Sequence, residues 1–292
     1  MAERIFITGA TGNTGQALLR LIAGDSAFGQ TRVTCLCRPV GRAERLLPFG
    51  VRIVGGDASS AESLKRVYQG EDTVIHISSI FQSPAVLEGC RGMKRLIAIS
   101  STRLFSDYWD GTAEVFSAER AIEQSGVPFT ILRPTMIYGT PEDHNVSKLI
   151  RIVKKYPIVP LPHGGKSVFQ PVHMDDLAAC IILALKKPAS IGKSYNIPGG
   201  SAHSLREMVS IVSKALGRHV LTVPFPLGLA EAAVGWHERR SPRPLIRREQ
   251  IQRLREDKRY DFSEAARDLG YAPMHFREGV AREIRAMLAA EA

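Results

Sequence analysis

Residues with chemistry to offer appear first near the amino terminus. There Thr8-Gly9-Ala10-Thr11-Gly12-Asn13-Thr14-Gly15 separates the apolar run Arg4-Ile5-Phe6-Ile7 from Gln16-Ala17-Leu18-Leu19-Arg20-Leu21-Ile22. Glycine at every third position lets a chain turn tightly and brings its backbone close to a ligand. A helix starting at such a turn aims unpaired N–H groups and the positive end of its dipole outward. The pyrophosphate of a dinucleotide is what a strand, glycine turn and helix in this order hold. The spacing predicts that Gly9, Thr11, Gly12, Asn13, Thr14 and Gly15 form that cradle. A second feature ends the run Arg32-Val33-Thr34-Cys35-Leu36-Cys37-Arg38-Pro39. An acidic side chain at such a strand end accepts hydrogen bonds from a ribose 2′-OH, whereas an arginine accommodates a 2′-phosphate. Here Cys37 stands at the acidic position, Arg38 follows, and Arg42 is close behind. With no carboxylate to repel phosphate, NADP(H) is the expected cofactor and NAD(H) the less favoured one.

These groups need strands that end along one edge. Up to about Gly139, short β-rich runs alternate with helical stretches, the pattern of a Rossmann-type α/β fold with a doubly wound parallel sheet. We assign residues 1–139 to an NAD(P)-binding Rossmann domain, with 164–170 and 194–197 expected to return to the main sheet. Residues 140–292 are assigned mainly to a small carboxyl-terminal substrate lobe, and two lobes imply a cleft. With 292 residues, 44% of them hydrophobic, the chain can bury cores for both. No apolar run approaches the roughly 18 residues of a membrane span, and the first residues lead into a strand rather than a signal sequence, so a cytoplasmic location is expected. Cys35, Cys37, Cys90 and Cys180 form no C-x-x-C pair and the histidines lack ligand spacing, which predicts free thiols and no metal.

The turn Gly-Ala-Thr-Gly-Asn-Thr-Gly resembles the fingerprint of the short-chain dehydrogenase/reductase superfamily, in its extended and atypical branches. Later segments carry the same resemblance: 51–57 with Asp57, 72–79, 97–102, Phe129-Thr130-Ile131-Leu132-Arg133-Pro134 with Ile137-Tyr138-Gly139, Pro171-Val172-His173-Met174-Asp175-Asp176-Leu177, and Tyr260-Asp261-Phe262-Ser263 with 268–273. It spans nearly the whole chain and implies cofactor contacts from Asp57, Ala58, Ser78, Ser79, Ser100 and Pro134. It also implies a catalytic Tyr-x-x-x-Lys on the helix after the fifth strand, which this chain lacks. Matching positions are Gly111 and Val115, and neither can move a proton. Ser101 corresponds to the hydroxyl residue that hydrogen-bonds the reacting oxygen, although a strand-end serine can equally satisfy local backbone groups. Tyr108 and Tyr138 are the remaining candidate proton donors.

A formal net charge of +10 reflects an arginine-rich stretch near the carboxyl end. In extended members of the superfamily such arginines grip the pyrophosphate of a nucleotide sugar, and guanidinium suits phosphate oxygens. Arg243 and Arg247, with His144 and Asn145 of the cleft-side loop, are therefore the expected substrate contacts. Nucleic acid is disfavoured, because no recognition motif accompanies the charge. The stretch 226–236 is apolar enough to touch a membrane, but Glu231 on its polar face favours a core helix of the small lobe, so membrane contact is disfavoured. Only 81–93 separates the fourth and fifth strands, leaving a short helical face for pairing and predicting a monomer or weak dimer. The leading reading is an NADP(H)-dependent oxidoreductase acting on a carbonyl or hydroxyl of a small molecule, potentially a nucleotide sugar. Two alternatives stand beside it: an NADP(H)-binding regulatory or structural protein without turnover, and a nucleotide-sugar epimerase or dehydratase.

Overall fold

The computed structural model describes residues 3–38, 42–108, 111–143, 145–240 and 252–291. Strands β1 (Arg4–Thr8), β2 (Arg32–Cys37), β3 (Arg52–Gly55), β4 (Thr73–His76), β5 (Arg95–Ile99), β6 (Phe129–Pro134) and β11 (Lys193–Ile197) form a seven-stranded sheet. Their order is β11-β6-β5-β4-β1-β2-β3, and every pairing is parallel. Parallel strands buried on both faces need apolar residues at consecutive positions, and alternation then sends them to opposite sides. Ile5, Ile7, Cys35, Ile75, Ile97 and Leu132 enter one core, under α1 (Asn13–Gly24) and α6 (Met174–Lys186). Phe6, Leu36, Val74, Leu96, Ala98 and Ile131 enter the other, under α2 (Ala61–Val67), α3 (Ser83–Gly89) and α4 (Thr112–Glu123). The chain winds outward from β1 to β3 and then resumes at β4 on the other side of β1. The carboxyl ends of β1 and β4 therefore flank the crevice where such sheets take ligands.

A third core belongs to the lobe. It gathers Val146, Ile150 and Val153 of α5 (Val146–Lys155), Val159 and Leu161 of β8 (Ile158–Pro162), Met208 and Val212 of α7 (Leu205–Ala215), and Phe276, Val280 and Ile284 of α10 (Phe276–Glu291). Three small sheets brace it: β7 (Ile137–Tyr138) with β10 (Val172–His173), β9 (Val168–Phe169) with β12 (His203–Ser204), and β8 with β13 (Leu221–Phe225). The helices α8 (Leu227–Glu238) and α9 (Ser263–Leu269) complete the elements discussed below.

Two expectations are corrected. Residues 194–197 do join the main sheet within β11, but Val168–Phe169 does not, pairing antiparallel with β12 instead. The outer edge of β6 is already occupied by β11, and a two-residue strand offers too little ladder to compete. The helix expected in the lobe core, α8, has no buried residue among its described positions, and its Leu229 and Trp236 face outward. All four cysteines are buried and unpaired, and burial pushes the thiols of Cys35 and Cys90 up to about 12. No helix among the described residues is long and apolar enough to cross a membrane.

Candidate functional site

The turn after β1 has the backbone a pyrophosphate cradle requires. Gly9 adopts φ +77°, and a Cβ there would lie 2.6 Å from the amide nitrogen of Ser78. A Cβ on Gly15 would lie 2.6 Å from both Ala10 Cα and the Gly9 carbonyl oxygen, so only glycine lets α1 start this close to the turn. Gly12 caps α1 in extended conformation with no side-chain cap, and the first turn holds no acidic residue. Its leading amides and dipole are thus available to an anion. Asn13 Nδ2 donates to Thr140 Oγ1 at 2.7 Å, joining the cradle to the loop after β7.

Beneath the turn, polar side chains at the ends of β1 and β4 bond to one another. Thr8 Oγ1 lies 2.7 Å from His76 Nδ1 and 2.9 Å from Ser78 Oγ, while His76 Nε2 lies 3.1 Å from the Ser79 carbonyl oxygen. A carbonyl only accepts, so Nε2 carries the proton and Nδ1 accepts from Thr8. Complete burial holds the imidazole neutral, bringing its pKa down to about 4. Ser78 is thus tied to the turn's foundation as well as lining the cleft described below.

At the other end of the cradle, β2 finishes in buried Cys37, whose thiol donates to the Arg38 carbonyl at 3.3 Å. No carboxylate stands there. Asp57, past β3, is exposed, and its Oδ1 accepts from the Ser59 amide at 2.9 Å. Its carboxyl is held below the usual range, first by hydrogen bonds from Ser59 and further by the charge of Arg38. Arg38 and Asp57 therefore face one electrostatic environment, and Ala58 is buried against the second core.

A cleft of about 630 Å³ opens beyond the carboxyl ends of β4, β5 and β6. Ser78, Ser79, Ser100, Ser101, Pro134 and Asn145 line it from one side, and Gln170, Arg253, Lys258 and Tyr260 from the lobe. A hollow of about 710 Å³ bordered by Arg4, Arg32 and Arg52 lies at the strands' amino ends, away from the glycine turn. Adjacent serines of the cleft have different partners. Ser100 Oγ donates to Glu119 of α4, which also receives two bonds of 3.0 Å from Arg133 Nε, so this hydroxyl serves a buried ion pair. Ser101 Oγ accepts the Arg103 amide at 3.2 Å, and its proton has no acceptor among the described residues. That hydroxyl can therefore donate to an oxygen in the cleft.

Tyr138 and Tyr108 are not brought to this cleft, which corrects their reading as proton donors. Tyr138 is 2% exposed, wedged among His173, Phe276 and Gly279, and burial pushes its hydroxyl pKa up. Tyr108 is 40% exposed and lies outside the cleft lining. The helix α4 holds neither tyrosine nor lysine, and Val115 reaches the cleft as an apolar wall. His144, Arg243 and Arg247 lie outside the described residues.

Two cleft residues were missed as chemical groups. The Lys258 amide donates to the Val168 carbonyl at 3.0 Å; its ammonium donates to the Arg253 carbonyl at 2.7 Å and lies 4.7 Å from the Phe169 ring centroid. Burial, with Arg253 and Arg103 nearby, brings its pKa down to about 8. The Tyr260 hydroxyl reaches the Thr102 carbonyl at 3.4 Å, and its amide donates to Gln170 Oε1 at 2.9 Å. The available signal was their spacing, since residues two apart on an extended segment share a side.

Comparison with known proteins agrees with this geometry. The family model described as NAD(P)H-binding matches residues 9–188. The chain is similar to subunit 9 of the NADH dehydrogenase 1 alpha subcomplex of Arabidopsis thaliana, 38% identical over 121 residues, which cover 40% of this chain and only 30% of that protein. It is also similar to the (4-alkanoyl-5-oxo-2,5-dihydrofuran-3-yl)methyl phosphate reductase of Streptomyces griseus, 28% identical over 73% of this chain and 74% of that one. In fold it matches the UDP-glucuronic acid 4-epimerase of Bacillus cereus, whose structure holds NAD, with a TM-score of 0.75 at 18% identity, covering 98% of this chain and 99% of that one.

Proposed function

This chain belongs to the NAD(P)H-binding family, and from that premise we propose that it is an NADP(H)-dependent oxidoreductase acting on a carbonyl or hydroxyl of a small molecule. The observation that carries this reading is the cleft itself, where Ser101, Lys258 and Tyr260 meet beyond the strand ends adjoining the glycine turn. The turn fits a dinucleotide: a Cβ at Gly9 or Gly15 would strike backbone, and α1 starts without a cap. Gly12 to Gly15 would hold the pyrophosphate and Arg38 the 2′-phosphate. Reduced nicotinamide, when bound, supplies a hydride.

The rest falls to the chain's own groups. The Ser101 hydroxyl donates to the substrate's carbonyl oxygen and orients it. The oxygen of a carbonyl being reduced there would take its proton from the Lys258 ammonium, directly or through the Tyr260 hydroxyl. An ammonium with pKa near 8 is better matched to this transfer than an ordinary lysine. Arg103 and Arg253 beside it favour a substrate bearing a phosphate or carboxylate. The absence of tyrosine and lysine from α4 favours one rival, a nucleotide-binding protein without turnover.

The test screens carbonyl compounds, with and without phosphate, for loss of reduced-nicotinamide absorbance. Ser101→Ala should lower kcat by about 10² to 10⁴ while sparing NADPH affinity. Reduction should slow as pH rises through about 8, because the acid form of Lys258 is then lost, and Lys258→Met should remove that dependence. Tight NADPH binding with no turnover across the screen would give the ground to the binding-protein reading.

A further inference from the structure

The small sheet of β8 and β13 is lopsided. Val159 and Leu161 point into the lobe core, so alternation turns Ile158 and Pro160 outward. The register pairs Ile158 with Leu221, Pro160 with Val223 and Pro162 with Phe225, which places three more apolar side chains on that outer face. Pro226 then leads into α8, where Leu229 and Trp236 stand open. Leu221 is 63% and Trp236 60% exposed, so this surface is uncovered rather than partly packed. Scattered exposed apolar residues are ordinary, but Ile158, Pro160, Leu221, Val223 and Phe225 standing exposed on one face of a paired sheet mark an interaction surface.

Charge indicates what covers it. The Lys155 ammonium lies 5.3 Å from the ring centroid of Tyr156, just before β8, and the Arg240 guanidinium lies 4.0 Å from that of Trp236, just after α8. Aromatic rings with cations beside them at the rim of an apolar patch suit the boundary between hydrocarbon and headgroups. Arg239, Arg240, Arg243, Arg247 and Arg248 follow α8 with no acidic residue among 239–248, and only the first two are among the described residues. The acids of α8 are Glu231 and Glu238 alone. A two-fold contact with a second copy would set these cations against themselves. We propose that the outer face of β8–β13 and α8 docks on an anionic phospholipid surface, the apolar side chains entering the interface and Arg239 and Arg240 facing the headgroups.

The full chain is sedimented with phosphatidylcholine vesicles and with vesicles containing roughly one third phosphatidylglycerol, at low and high salt. Binding is expected to the anionic vesicles only, and to weaken with salt. Arg239→Gln with Arg240→Gln should lower the partition coefficient roughly 30-fold, at about 1 kcal/mol per basic residue. Phe225→Ser with Trp236→Ser should lower it at least about tenfold by removing inserted apolar area. Both pairs are exposed, so unchanged circular dichroism and nucleotide binding confirm that the fold is intact. Absence of binding to the anionic vesicles, equal binding to neutral ones, or binding that neither double variant weakens would overturn the proposal. So would a concentration-dependent dimer in light scattering that the serine variant abolishes, which would assign the patch to a second copy.

Discussion

Replacing Arg38 with alanine should erase a preference for NADPH over NADH. A charge-assisted hydrogen bond from a guanidinium to a phosphate contributes about 1.5 to 3 kcal/mol, roughly one to two decades of affinity. The lower end of that span is expected here. Arg38 already bears electrostatically on the carboxylate of Asp57, so a 2′-phosphate must share it. Asp57 is exposed, and an exposed pair of this kind contributes at most about 1 kcal/mol. A preference of roughly tenfold follows for the native chain. Arg38→Ala should bring the two affinities together by weakening NADPH and leaving NADH nearly unchanged. Asp57→Asn should widen the ratio, because it frees the arginine and removes a negative charge near the phosphate. Titration of cofactor fluorescence, repeated at higher salt where the ratio should shrink, measures all three proteins. Because Asp57→Asn changes the charge beside either cofactor, the informative quantity is the ratio and not either affinity alone. Equal affinities in the native protein, an undiminished ratio in Arg38→Ala, or a narrower one in Asp57→Asn would refute this reasoning.

Two further predictions concern stability. Glu119→Ala strands the half-buried guanidinium of Arg133 and the Ser100 hydroxyl, and should cost about 3 to 5 kcal/mol in urea unfolding; a loss under about 1 kcal/mol would show that the pair is dispensable. His76, neutral when folded with a pKa of about 4 against 6.5 in the free side chain, binds its proton more readily in the unfolded chain. Its contribution therefore leaves stability unchanged above about pH 7 and lowers it as pH falls from 6.5 toward 4, by roughly 3 kcal/mol in all. His76→Asn should flatten that part of the stability profile, and a variant with the native slope would remove His76 as its source.

The central sheet was readable because its signals are local. Alternation within Ile5-Phe6-Ile7 and the glycine turn that follows need no knowledge of distant residues. Lys258 and Tyr260 escaped notice because their significance depends on contacts with Val168, Phe169, Gln170 and Thr102, all at least 89 positions earlier. Tyr138 misled for the converse reason: only the folded chain lays Gly279 of α10 against its hydroxyl and closes it off. The Glu231 on α8 suggested an inward apolar face, yet burial of a helix is decided by whether another element arrives to cover it. None of the described side chains of α8 is buried. Composition also concealed the difference between Ser100 and Ser101, which β5 and its turn send to a buried carboxylate and to the cleft respectively.

The bond between Asn13 and Thr140 gives the two binding events a shared term. Asn13 belongs to the first turn of α1, at the dinucleotide cradle, while Thr140 begins the passage from β7 toward the lobe. A nucleotide that pulls the Asn13 amide away would weaken its bond to Thr140, and a ligand that moves the loop would weaken the same bond. Thermodynamic reciprocity makes the effect equal in both directions: whatever factor the nucleotide imposes on the second ligand's affinity, that ligand imposes on the nucleotide. An order of addition in steady-state kinetics would then have its origin in a single side-chain contact, and Thr140→Val would tend to make the order random.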